Sequence, residues 1–142
     1  MTKEILIHPE ILSTLASNGH GSKILITDGN FPVATSTAPN SVKVFLNLAP
    51  DMCKVTDVLR IVLSAVPVEK AIFMESGKPG DEPIHEEFRK ILGREKDTEK
   101  LNRQDFYDRA ESKHNCLTIV TGDVRRFANI ILVIGVRDFL VT

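Results

Sequence analysis

Short apolar runs alternate with amphipathic stretches along almost the whole chain, and this alternation limits the fold more than any single residue does. Residues 23–28 (KILITD) read as a buried strand around Ile24, Leu25 and Ile26 that breaks at Gly29 and Asn30. Residues 42–47 (VKVFLN) give a second strand. Met52, Val55, Val58, Leu59, Val62, Leu63 and Val66 then recur at three- and four-residue steps until Pro67 stops them, which is the clearest helical pattern in the sequence. Residues 70–74 form another strand, 77–83 a Gly/Pro-rich loop, and Ile84, Phe88, Ile91 and Leu92 share one helix face. A charged helix over about residues 103–113, with Asn102 as its N-cap, leads to strands over 116–121 and 129–136. Ahead of all these, Pro9 opens a short helix carrying Ile11, Leu12, Leu15 and Ala16, and Gly19 falls where a left-handed C-terminal cap is wanted. The pattern predicts an α/β fold of three layers, with a largely parallel sheet covered by helices.

Bulk properties narrow the function. A chain of 142 residues fits one domain over 1–142, long enough to bury roughly 70% of its unfolded surface. Eighteen Lys plus Arg against nineteen Asp plus Glu leave a net charge of -1, so no sequence-wide positive field is available for nucleic acid. Cys53 and Cys116 are too far apart for a CxxC pair and too few for a thiolate zinc cage, and they suit a reducing cytosol. Residues 1–10 carry Lys3, Glu4, His8 and Glu10 in place of an apolar signal core, and no run reaches the ~20 apolar residues of a membrane span. The expected location is cytoplasmic. The apolar tail Phe139-Leu140-Val141 is expected to dock on the chain's own core or, preferably, on another subunit.

Several chemistries lack their motifs. The glycines form neither GxGxxG nor GxxxxGK[ST], so the α/β pattern brings no nucleotide with it. His8, His20, His85 and His114 are scattered without the spacing that puts two imidazoles on one helix face, and no metal or other cofactor is expected. No serine sits in a GxSxG elbow, and Cys53, within the helical pattern that begins at Met52, reads as a small packed hydrophobe. Arg125 and Arg126 sit in a turn and could bind an anion, but an arginine pair on a loop is more often a solvated surface or a structural ion pair of little energy, and no role is assigned to them. Glu75, after a strand, is either a pocket carboxylate or a solvated strand end.

What remains is a set of polar residues at strand and helix ends: Gly19-His20-Gly21, Asp28, Arg103, and the turn Thr121-Gly122-Asp123 leading to Phe127-Ala128-Asn129. Loop edges of an α/β sheet are where ligands usually bind. Taken singly, each has an ordinary structural role, as loop histidine, turn carboxylate, first-turn cation or strand cap. Taken together with Leu15-Ala16-Ser17-Asn18 and Phe31-Pro32, with Arg103-Gln104-Asp105-Phe106-Tyr107-Asp108-Arg109-Ala110, and with Ile119-Val120-Thr121-Gly122-Asp123, the text resembles the RbsD/FucU family of D-ribose pyranases and L-fucose mutarotases over nearly the whole chain.

The resemblance implies that His20 is the acid/base residue, that Asp28 holds sugar hydroxyls, and that Phe127, Ala128 and Asn129 form the last sugar-binding element. A further sugar-contacting position is histidine in the ribose branch and arginine in the fucose branch. Arg103 falls there, which points to L-fucose and leaves D-ribose or another aldose as the alternative. The family's Tyr-x-Asn turn is altered here, because Phe127 stands in place of the tyrosine and a hydroxyl is missing. The implied reaction is cofactor-free interconversion of the anomers or ring forms of a free monosaccharide, in ring-shaped pentamers or decamers. A noncatalytic sugar-binding or transport-accessory protein is the rival from another class, and a metal-dependent aldolase or isomerase the third.

One geometric difficulty accompanies this reading. At ~3.3 Å per extended residue, His20 and Asp28 lie more than ~15 Å apart along one strand. Either residues 20–23 fold back along the strand, or the site is composite, with residues supplied by two subunits of a homo-oligomer.

Overall fold

The computed structural model describes residues 1–138, so the apolar run at 139–141 lies outside the described residues. The elements in chain order are α1 (Pro9–Ser17), β1 (Lys23–Thr27), β2 (Val42–Phe45), α2 (Val55–Leu63), β3 (Val68–Met74), α3 (Pro83–Leu92), β4 (Asp97–Leu101), α4 (Arg103–Ala110), β5 (Asn115–Val120) and β6 (Ile130–Ile134). The strands form one six-stranded sheet in the order β2-β5-β1-β6-β3-β4. β1 and β2 run parallel to β5, and β4 runs parallel to β3. β6 alone is antiparallel to both of its neighbours, joining the two parallel groups through Ile26↔Ile130 and Ile72↔Ile131.

Apolar side chains on both faces of the central strands bury the sheet between two helical layers. On one face Ile24, Ile26, Phe73, Ile119, Ile130 and Leu132 meet Ile11 and Leu15 of α1, Val58, Leu59 and Val62 of α2, and Ile84 and Phe88 of α3. On the other, Leu25, Ile72, Val120 and Ile131 meet Phe106 and Ala110 of α4, together with Phe31 and Val33 of the loop after β1. Phe73, Phe88 and Phe106 are wholly buried, each worth ~1.5–3 kcal/mol of transfer free energy. Every residue of β5 is buried, which explains why this strand reads as a continuous apolar run without alternation.

The three-layer, largely parallel α/β expectation holds, and its errors are local. Gly19 does not provide a left-handed cap: α1 ends at Asn18, which is extended, while Asn18 Nδ2 donates to the Thr14 carbonyl at 2.8 Å. The left-handed glycine is Gly21, with φ +86°. The helical period that begins at Met52 becomes a helix only at Val55. Cys53 lies in the preceding loop, where its side chain still packs partly against the core and burial pushes its thiol pKa up. β4 (DTEKL) was not legible at all.

Candidate functional site

The topology sends one end of β1, β3 and β6 to each side of the sheet. At one end lie Asp28, directly after β1, Met74, the last residue of β3, and Asn129, directly before β6. At the other lie His20, shortly before β1, Glu69 near the start of β3, and Gly135 after β6. The five residues of β1 separate the two groups, a span that puts His20 and Asp28 more than ~15 Å apart at extended rise. Residues 20–23 do not fold back. Gly21 N–H donates to the Ile134 carbonyl and Ile134 N–H to the Ser22 carbonyl, both at 2.9 Å, so the segment continues along β6 away from Asp28.

Asp28 and Asn129 form the floor of the first end. Asn129 Oδ1 accepts the Asp28 N–H at 2.9 Å, and Asn129 Nδ2 lies 3.3 Å from Asp28 Oδ2. The other carboxylate oxygen accepts the N–H groups of Asn30 and Phe31, each at 2.9 Å, which turns the chain sharply out of β1. Both side chains are buried. Burial pushes the Asp28 carboxyl above the ordinary aspartate range, and the N–H bonds from Asn30, Phe31 and Asn129 oppose that rise without cancelling it.

Above this floor opens a cleft of about 200 Å³ whose walls include Arg103, Tyr107, Arg126 and Phe127. That is below the ~300–1,000 Å³ of drug-sized pockets and of the scale of one small ring. Arg103 is the first residue of α4, which Asn102 caps by accepting the Asp105 N–H at 2.8 Å. Its Nε donates to the Tyr107 hydroxyl at 3.3 Å and its guanidinium lies 5.4 Å from the Tyr107 ring centroid. Phe127 adopts φ +60°, a left-handed conformation costing an aromatic residue ~1–2 kcal/mol. Strain of this kind persists where the surroundings enforce it, and Phe127 packs partly against the core while also lining the cleft. Ala128 is fully buried behind it and does not line the cleft.

The loop bearing Arg126 and Phe127 is anchored by Asp123, which has no exposed surface. Its carboxylate accepts the Val55 N–H at the start of α2 at 3.0 Å, the Arg125 N–H and Nε at 3.0 Å, and Arg125 Nη2 at 2.7 Å. Burial alone would push this carboxyl up, but the Arg125 side chain, with the N–H groups of Arg125 and Val55, outweighs it and holds the carboxyl below its ordinary value. Arg125 also reaches Glu87 of α3 at 2.7 Å and Thr56 of α2 at 3.2 Å. The turn before Asp123 requires glycine, because a Cβ on Gly122 would stand 2.2 Å from the Ala49 carbonyl oxygen and 2.6 Å from that of Met52.

At the far end, His20 Nε2 lies 3.1 Å from both carboxylate oxygens of Glu69, with both side chains exposed. A carboxylate only accepts, so Nε2 carries the proton and Nδ1 of the neutral ring is left with its lone pair. His85 is a different kind of histidine. It is buried, stacked on Phe73, accepts the Glu82 N–H on Nδ1 and donates from Nε2 to the Met74 carbonyl at 3.0 Å, which pins the end of β3 beside the cleft.

The structure thus brings Asp28, Arg103, Phe127 and Asn129 to one cleft and sets His20 apart from them. Arg126 and Tyr107 are cleft residues to which sequence reasoning assigned no part in the site, Arg126 having been considered only as one of a loop pair with Arg125. Arg125 and Arg126 are not a matched solvated pair: one anchors to a buried carboxylate and the other faces the cleft. Glu75 is not among the cleft's lining residues. Among the described residues, no group of three or more His, Cys, Asp or Glu side chains is placed to hold a metal ion, and no helix is long and apolar enough to cross a membrane.

The same fold occurs in several solved structures, two of them complexes with a monosaccharide. RbsD of Bacillus subtilis complexed with D-ribose superposes with a TM-score of 0.84 at 25% identity, covering 97% of this chain and 100% of that one. The fucose mutarotase of Streptococcus pneumoniae in complex with L-fucose gives 0.80 at 27% identity, covering 97% and 100%. FucU from Bifidobacterium longum gives 0.79 at 27% identity, covering 93% and 96%. The model of the RbsD / FucU transport protein family matches residues 1–137. With that match across nearly its full length, the chain belongs to the RbsD / FucU transport protein family.

Proposed function

We propose that this protein interconverts the ring forms of a free monosaccharide by proton transfer alone, in a site assembled from two copies of the chain. The observation that carries the reading is the separation just described: a sugar-sized cleft floored by Asp28 and Asn129, and a carboxylate-paired imidazole at the opposite end of the same strand. A head-to-tail contact, in which the His20 end of one copy meets the Asp28 end of the next, supplies both halves. Contacts of this heterologous type close into rings, in keeping with a homo-oligomer of pentameric or decameric kind. Exposed apolar side chains at both ends suit it. Phe45, Leu48, Met52 and Val124 surround the loops at the Asp28 end, and Val136 follows Gly135, which packs on Glu69.

In this arrangement Asp28 accepts hydroxyls, Asn129 orients Asp28, and Arg103 donates in a fork to ring or hydroxyl oxygens. Nδ1 of His20 takes the proton of the anomeric hydroxyl, and the imidazolium so formed returns that proton to the ring oxygen. The C1–ring-oxygen bond breaks to an open-chain aldehyde, which recloses on either face. Glu69 holds the ring orientation and stabilises the imidazolium formed on the way. General acid–base catalysis of this sort contributes about 10²–10⁴-fold. Arg103 makes L-fucose the first sugar to test and D-ribose the second.

The test is NMR magnetisation exchange between anomers of L-fucose, D-ribose and D-galactose. Wild-type protein should accelerate exchange for at least one of them, and His20→Ala should abolish the acceleration while sugar still binds. Binding without accelerated exchange in the wild type would instead favour a noncatalytic sugar-binding protein.

A further inference from the structure

We infer that a second copy of this chain docks, about a two-fold axis, on the apolar groove between α1 and α2. Residues 5–7 alternate at the edge of this groove: Leu6 is buried in the core, while Ile5 and Ile7 are 71% and 49% exposed. The groove beside them, of about 180 Å³, is walled by Ile11 of α1 and by Val58, Ile61 and Val62 of α2. It opens between two helices, whereas the sugar cleft opens at the ends of β1, β3 and β6. His8 and Asp57, the strongly polar residues of the lining, are already engaged. His8 Nδ1 accepts the Ile11 N–H at 3.3 Å, and Asp57 accepts the Lys54 N–H at 3.0 Å. The lining therefore calls for no charged ligand, and a small apolar molecule would fill the groove yet leave Ile5 and Ile7 in water.

A second copy matches this patch in shape and in charge. The Ile5/Ile7 ridge lies beside the groove, so a two-fold contact gives the isoleucines of each copy a groove on the other, as an isologous interface requires. The α1 side of the rim carries Lys3 and Glu10, and the α2 side carries Lys54, Asp57 and Arg60, all exposed. Glu4 lines a different hollow, beside Leu63 and Val66. Among the described residues the rim's own ion pair is Arg60–Asp57, at 3.9 Å between exposed side chains, a contact of little energy. A two-fold axis along the groove sets the α1 side of one copy against the α2 side of the other. Glu10 then meets Lys54 and Arg60, while Lys3 and the amino terminus meet Asp57. An apolar centre with a polar, charge-paired rim is the usual anatomy of a protein–protein contact. Added to head-to-tail contacts that close into a ring, it stacks two rings, so the assembly holds twice the chains of one ring. The ring rests on the proposed composite site, whereas the docking face does not.

The experiment reads assembly mass by native mass spectrometry and light scattering, and anomer exchange by NMR, on the full chain. Ile5→Asp and Ile7→Asp are combined in one variant; both side chains are exposed, so the core is untouched and circular dichroism should match wild type. Its mass should fall twofold, to a single ring, with exchange per chain unchanged because the cleft and the ring contacts are intact. Glu10→Lys and Arg60→Glu should each raise the concentration at which half-assemblies appear, and the two together in one chain should lower it again. An isoleucine variant of unchanged mass, one that falls to single chains, or a wild type that is itself one ring or a monomer would overturn the inference. Charge variants that do not compensate one another would overturn the two-fold pairing. A wild type that assembles in this way without accelerating exchange refutes the proposed reaction alone. One that accelerates exchange but whose mass ignores Ile5 and Ile7 refutes this inference alone.

Discussion

Asp123→Asn keeps the shape of a fully buried side chain and removes its charge. The carboxylate accepts four hydrogen bonds, two on each oxygen, from Val55, the Arg125 backbone and the Arg125 side chain. An asparagine has one acceptor oxygen, so its amide nitrogen must face two donors whichever way the group turns. Hydrogen bonds to charged groups are each worth about 1.5–3 kcal/mol. Arg125 keeps Glu87 and some contact with water, which limits the loss to about 3 kcal/mol. For a chain of this size the melting temperature should fall by about 6–12 °C.

The pH dependence follows from the direction of the Asp123 shift. Its folded-state carboxyl is held below the ordinary value, so its stabilisation is complete above the unfolded aspartate pKa of about 3.9 and fades as pH falls through the folded value. Urea unfolding of wild type and variant should show a constant gap from neutral pH to about pH 5, closing in more acidic solution. Sugar affinity should weaken at the same time, because Arg125 no longer holds the loop that carries Arg126 and Phe127. A gap under about 1 kcal/mol at neutral pH, or one that persists unchanged down to acid unfolding, would refute the reasoning.

Further outcomes follow from the same contacts. Asp28 is the opposite case, since burial raises its folded pKa: ionisation there costs stability as pH rises through that value, so Asp28→Asn should melt no lower than wild type at neutral pH while losing sugar binding, as calorimetry and differential scanning fluorimetry would show. Phe127→Tyr supplies a hydroxyl at the cleft wall and should tighten neutral-sugar binding by about 0.5–1.5 kcal/mol, read as a two- to tenfold fall in Kd by calorimetry. His85 is held neutral chiefly by burial, with its folded pKa lowered. Its contribution to stability is complete above the unfolded histidine pKa of about 6.5 and is lost as pH falls through the folded value. Urea unfolding should accordingly show wild type losing stability below about pH 6.5 relative to His85→Gln.

The sequence was most legible where burial dictates residue type. β1, β5 and β6 are apolar because both faces of the sheet are covered, and α2 and α3 show their core faces as three- and four-residue steps. β4 escaped notice because an edge strand needs no apolar face: its Glu99 instead pairs with Lys70 of β3 at 2.7 Å. Strand order and the reversed direction of β6 are properties of long-range pairing, which local pattern does not encode. Asp28, Arg103, Phe127 and Asn129 stand at element ends where each alone reads as structural; the family resemblance singled them out, and the fold brings them to one cleft. Glu69 and Asp123 were not identified as partners because what they do depends on residues brought near by folding, His20 from 49 positions away and Val55 from 68.

The composite site is tested most directly by mixing two inactive variants. His20→Ala removes one half of the proposed site and Asp28→Asn the other. Co-expressed or co-refolded in equal amounts, they should regain up to about a quarter of wild-type exchange activity, because random assembly pairs an intact His20 with an intact Asp28 at about one contact in four. Mixed oligomers as inactive as either variant alone would contradict the account.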